Sequence, residues 1–360
     1  MITRRSVLGT AAGFSALGLG LQGASAADAT KVAFVYVAPI GDHGWSYQHH
    51  QGLLAVKKEF GDKVETTYVE NVPEGPDAER VIDQLASQGN KLIITTSFGF
   101  MNPTIKVAAK YPDVKFEHMT GFKRADNVAT SNIRYYEGRY VAGILAAKAS
   151  KTGTIGYIGS FPIPEVVMGI NATYLGAKSV NPNIKLKIIW VSTWFDPGKE
   201  TDAAKALADQ GVDIIMQHTD SPAPIKFAEE RKIFAIGQAS DMRQFGPNSV
   251  LTSIVDNWND YYVGRVKAVM DGSWKSGDVW GGFNSGMLAL PDYGPGVSAE
   301  AKALADATKA KISKGEFHPF TGPMKKQDGT AFLKDGETIA DGDLAGMNFY
   351  VEGIDGALPK

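Results

Sequence analysis

Residues 31–121 and 154–239 run through the same local pattern twice, and that repetition leaves few folds open to the chain. Each series sets short runs rich in β-branched residues against longer stretches with helical spacing. In the first, KVAFVYVA (31–38), VETTYVEN (64–71), KLIITT (91–96) and KFEHMTG (115–121) read as strands. Helices are predicted over 46–60, 76–89 and 103–111, the second with Ala78, Val81, Ile82 and Leu85 on one face. The second series offers strands at 154–160, 185–193, 213–219 and 233–239, with helices over 164–180 and 197–211. Such alternation predicts βαβ units and parallel sheets covered by helices on both faces. The expected fold class is α/β, with two doubly wound lobes.

The segments NVATSNIR (127–134), SVLTSIVD (249–256) and VWGGFNSGMLAL (279–290) read as passages between the lobes. The expected N-terminal lobe is 31–133 plus about 256–283, and the C-terminal lobe 134–252 plus about 284–360. In doubly wound sheets, ligands sit beyond the carboxyl ends of the strands. The loops there are GDHGWSYQHHQG (41–52), SFGFMN (97–102), TGFK (120–123), SFPIPE (160–165), TWFDPG (193–198), HTDSP (218–222) and ASDM (239–242).

Composition excludes several chemistries. The chain has no cysteine, which rules out disulfides, thiolate metal sites, cysteine nucleophiles and a lipid-modified cysteine. Residues 1–26 combine Arg4-Arg5, an apolar run from Val7 to Leu21 and Ala24-Ser25-Ala26, the layout of a cleaved export signal. The paired arginines resemble a twin-arginine signal; a general secretory signal is the alternative. Loss of that segment takes the formal charge from −2 to −4, which offers nothing to nucleic acid or to a membrane surface. A soluble periplasmic monomer is expected.

The first loop, with its aspartate, three histidines and tryptophan, decides among metal, catalysis and ligand grip. His49 and His50 are neighbours on a helix and point about 100° apart, unlike a pair four residues apart that converges on one ion. They read as solvated helix histidines, and no metal or other cofactor is expected. There is no G-x-S-x-G, H-E-x-x-H or Walker-type loop, so no catalytic residue is assigned. A cleft enzyme such as a nucleoside hydrolase is the alternative of another class. The aromatics favour ligand grip: Trp45 follows the first strand of one series, and Trp194 with Phe195 follows the second strand of the other. Two facing indoles make a slot for a flat ring, each stack worth about 1–3 kcal/mol. Phe98, Asn102, Gly121, Asp220 and Asp241 stand at the ends of other strands, where carboxylates or an amide would read polar edges. Asn102 and Asp196, each before a proline, are also good helix N-caps, and Asp196 is read as one.

GDHGWSYQHHQGL, AAKYPDVKF (108–116), YEGRYVAGILAAKAS (136–150), IGYIGSFPIPEV (155–166), DPGKETDAAKAL (196–207), GVDIIMQHT (211–219) and AIGQASD (235–241) occur in an order and spacing that resemble one family. It is the BMP (basic membrane protein) family of substrate-binding proteins of ABC transporters, which includes purine nucleoside receptors. The resemblance covers about 31–290. It implies two lobes of periplasmic-binding-protein type I that close on a ligand, and delivery to an ABC permease in the inner membrane. The family's first-loop motif, usually D-x-S-F-N, matches Asp42, Gly44, Trp45 and Ser46, so the stacking aromatic is kept and the Asn is replaced. The second stacking aromatic matches Trp194, and the ribose-holding aspartate matches Asp241. Asp256 stands where a lysine is usual, and Thr120 where an aspartate often reads the base. The resemblance thus keeps the stacking pair and loses part of the ribose set. A purine nucleobase such as adenine is expected, with a nucleoside or another small heterocycle as the alternative.

Overall fold

A computed structural model describes residues 29–359, so the export signal expected over 1–26 lies outside the described residues. The first series forms β1 (Thr30–Val35), α1 (Gly44–Phe60), β2 (Val64–Val69), α2 (Pro76–Ser87), β3 (Leu92–Thr95), α3 (Met101–Ala108) and β4 (Lys115–Met119), followed by β5 (Val128–Ile133). Then come α4 (Tyr135–Ala149), β6 (Thr154–Gly159), α5 (Pro164–Lys178), β7 (Lys185–Trp190), α6 (Pro197–Ala208), β8 (Ile214–Gln217), α7 (Ala223–Arg231), β9 (Phe234–Ala239) and β10 (Val250–Asp256). The last third adds α8 (Asn259–Met270), β11 (Asp278–Gly281), β12 (Leu288–Ala289) and α9 (Ala299–Ser313).

The strands make two six-stranded sheets, ordered β11-β5-β4-β3-β1-β2 and β12-β10-β9-β8-β6-β7. All pairings are parallel except β12 on β10. This is the α/β architecture that the alternation predicts. Central strands are sealed on both faces by helices, and their sequences are unbroken apolar runs: Leu92, Ile93 and Ile94 of β3 are all fully buried. β2 lies at an edge and is mostly exposed, Tyr68 included.

The segments read as passages are themselves strands. β5 and β11 complete the first sheet, β10 and β12 the second. The chain crosses between the sheets after β5, after β10 and after β11. The first crossing leads into α4, which packs on α5 with almost no space between backbones. A side chain at Gly143 would overlap the Thr173 carbonyl, and one at Gly176 the Tyr140 carbonyl. The second leads into α8, which lies on α1, where Gly52 leaves room for the Tyr262 ring.

The tail, which carries little pattern, is nonetheless anchored. Asn171 of α5 binds the backbone of Phe349 and Val351, and Trp190 donates to Tyr350 Oη.

Candidate functional site

Both sheets change winding direction next to their first strand, β1 against β3 and β6 against β8. Strand carboxyl ends at such a switch point splay apart and leave a crevice. The two crevices face each other across one cavity. From the first sheet come Val37, Trp45, Ser97, Phe98 and Thr120; from the second come Ile163, Glu165, Trp194, His218, Thr219, Asp220 and Gln238.

The wall is aromatic with a few polar groups. The Trp45 indole is held by Nε1 donating to the Thr96 carbonyl at 2.6 Å and by edge contacts with His49 and Trp258. Trp194 packs on Phe161, and its Nε1 donates at 3.3 Å to Glu74 Oε1. Glu74 also accepts from Ser97 Oγ at 2.5 Å and from Gly99 N at 3.0 Å. A carboxylate of the first sheet's loops therefore orients an indole of the second's.

Helix α1 starts at Gly44 without a side-chain cap from its own neighbour His43. The opposite sheet supplies one instead. Trp45 N donates to Asp220 Oδ1 at 3.0 Å and Gly44 N to Ser240 Oγ at 2.7 Å. Helix N-termini carry unsatisfied N–H groups and partial positive charge, so the Asp220 carboxyl is well placed. Burial nevertheless dominates and pushes its pKa up to about 7, against the lowering effect of the Trp45 N–H. Glu200 behind it is likewise raised to about 7 by burial. Burial lowers the pKa of His218, partly opposed by its bond to Glu165.

Of the residues singled out in the sequence, Trp45, Phe98, Thr120, Trp194 and Asp220 meet at the cavity. Gly121 lines an adjoining hollow, also touched by Phe98, Thr120 and Glu165. The others are not brought there. Ser46 is buried, its Oγ accepting from Ala38 N at 3.3 Å. Asp42 is 71% exposed and bound to His43 Nδ1. Asn102 points outward to Lys123 Nζ, and it is not an N-cap either, because a short helical turn at Phe98–Phe100 moves the helix start upstream. Asp241 is clamped by Arg243, whose Nε lies 2.9 Å from Oδ2. Asp256 is fully buried, with Oδ2 accepting from Trp258 Nε1 at 2.5 Å. Asp196 caps α6 through Lys199 N, as read. The histidines are not the solvated set expected: His49 is fully buried, stacked on Trp258 and bonded to Tyr262 Oη.

Sequence reasoning missed Glu165, His218 and Gln238. Each is unremarkable locally, in a helix's first turn, at a strand's end and inside a strand. What joins them is spatial: His218 Nε2 lies 3.4 Å from Glu165 Oε1. Among the described residues, no group of three or more His, Cys, Asp or Glu has the arrangement of a metal site. The cavity offers two indole walls, a phenyl edge and a small set of buried hydrogen-bonding groups, which suits a flat, partly polar ring.

Residues 29–317 match the model of the Bmp family, ABC transporter substrate-binding protein PnrA-like. A purine-binding protein of Brucella abortus is 56% identical over 354 residues, 98% of this chain and 100% of its own. A Haloferax volcanii protein, named as a candidate ABC transporter glucose-binding protein, is 38% identical over 94% of this chain and 83% of its own. An ABC transporter solute-binding protein of Aeropyrum pernix superposes with a TM-score of 0.71 at 21% identity, over 82% of this chain and 93% of that one. The chain belongs to the Bmp family of PnrA-like ABC transporter substrate-binding proteins.

Proposed function

We propose that the protein captures a purine in the periplasm, as a free nucleobase such as adenine, and presents it to an ABC permease in the inner membrane. One observation carries this reading: Trp45 and Trp194, from opposite sheets, line a single cavity together with buried hydrogen-bonding groups. The purine-binding name of the Brucella relative points the same way. A base is favoured over a nucleoside because Asp241, the carboxylate that the resemblance assigns to ribose, is clamped by Arg243, and Asp256 stands where the family's lysine is usual and is buried against Trp258. The lobes, 31–133 plus about 256–283 and 134–252 plus about 284–360, close as a monomer about the three crossings between the sheets. Residues 1–26 direct export and are removed.

The test is calorimetry on the mature protein, unfolded and refolded to strip carried-over ligand, against adenine, guanine, hypoxanthine, adenosine and glucose. Tight binding of a base with weak adenosine binding is expected. Preference for adenosine overturns the nucleobase reading. Glucose binding without purine binding, as the Haloferax relative's name would suggest, overturns the purine reading. Release of free base from adenosine on incubation would make the protein a hydrolase.

A further inference from the structure

Behind the cavity wall lies a guanidinium with no carboxylate bonded to it. Arg139 of α4 is fully buried. Its Nη1 donates to the Gln217 carbonyl at 2.9 Å, its Nη2 donates to Gln238 Oε1, and its Cζ stands over the Tyr157 ring. Arginine has five donors and no acceptor. An amide in contact with it must therefore present its oxygen, and the opposite orientation would set N–H against N–H. Gln238 is 3% exposed and lines the cavity, and its Nε2 has no partner among the described residues. The amide thus offers the cavity a donor.

An acceptor stands in the same wall. Glu165 is 9% exposed and reaches His218 through Oε1, while its Oε2 has no partner among the described residues. A buried atom without a partner, as Glu165 Oε2 is, costs free energy unless a ligand satisfies it, and Gln238 Nε2 in the same wall supplies the opposite hydrogen-bonding sense.

We propose that Gln238 Nε2 and Glu165 Oε2 read one edge of the purine as a donor–acceptor pair, and that Arg139, touching no ligand, is the positioning residue that fixes the amide's sense. The inference rests on the purine reading above. The matching edge has an acceptor beside a donor: N1 with the 6-amino group in adenine, or O6 with N1–H in hypoxanthine and guanine. A pair of acceptors would instead suit the adjacent N1–H and 2-amino donors of guanine.

The test is calorimetry with adenine, hypoxanthine and guanine on the wild type and on Arg139→Lys, Arg139→Met and Gln238→Glu, with thermal melts to establish folding. Lysine also only donates, so R139K is expected to keep the wild-type ratio of guanine to adenine affinity. R139M frees the amide to turn, and the ratio is expected to move towards guanine by about fivefold or more, the effect of a change near 1 kcal/mol. Q238E replaces the donor with an acceptor and is expected to weaken adenine by about tenfold or more. Should R139M not fold, Q238E and Gln238→Leu decide alone, because both lie on the cavity wall. Wild-type purine binding with adenine affinity and base ratios unmoved in the folded variants overturns this inference and leaves the purine reading standing. A wild type that binds no purine overturns both.

Discussion

Trp194 is the cleanest residue with which to measure the slot. It is half-buried, touches Phe161 and Glu74, and packs against the core only from its margin. Trp194→Ala is expected to weaken purine binding by about 1–3 kcal/mol, roughly 5- to 150-fold in Kd, with a nearly unchanged Tm. Trp45→Ala should weaken binding similarly but also lower Tm, because that indole bonds Thr96 and packs on Trp258. Both tryptophans are legible in the sequence, as aromatics placed just after strands. Asp241 and Asp256 are legible in the same way, yet a partner two residues on, Arg243 or Trp258, claims each carboxylate. Gln238 is illegible for a different reason. A glutamine inside a strand gains a meaning only from Arg139, 99 residues upstream.

Helix α1 depends for its first turn on the opposite sheet, and two predictions belong at this scale. Asp220→Ala removes the acceptor for Trp45 N and is expected to cost about 0.5–2 kcal/mol of stability, as lost N-caps do. Asp220→Asn keeps an acceptor and should cost less. The raised pKa gives a pH test. Asp220 ordinarily titrates near 3.8 and is pushed up to about 7, so the folded protein prefers it protonated. That contribution is complete below about pH 4 and is lost as pH rises through 7, by at most about 1.4 kcal/mol per pH unit. Glu200 and Glu137, also raised by burial, act in the same direction. The buried histidines, whose pKa values burial lowers, act in the opposite direction below about pH 6.5, so the readout is the difference: in denaturant melts from pH 5 to 8, stability should fall less, or rise more, with pH in D220N than in the wild type. Equal slopes would mean that Asp220 titrates normally. Elsewhere, Gly143→Ala drives a methyl into the Thr173 carbonyl and should cost about 1–3 kcal/mol or more, read from the denaturant midpoint. Most elements were legible because apolar runs and helical stripes are local. β11 and β12 were not, because four- and two-residue strands have no period of their own and exist only where a sheet edge receives them.

For the whole molecule, three crossings and the interlobe bonds from Gly44, Trp45 and Trp194 describe two bodies held shut over a cavity. Ligand should shift the population towards this form, since it adds contacts that an open form lacks. Small-angle scattering is expected to give a smaller radius of gyration with purine than without. A hundredfold excess of ligand over Kd should add about 2.7 kcal/mol to stability. An unchanged radius on saturation would mean that the cavity fills without closure. The passages of chain also govern how such a molecule can be inherited or divided. β11 returns to a sheet begun at Thr30, and β12 to one begun at Thr154. No single break in the gene puts each sheet whole on a piece of its own, so two half-genes would leave at least one sheet divided between pieces that must complement each other.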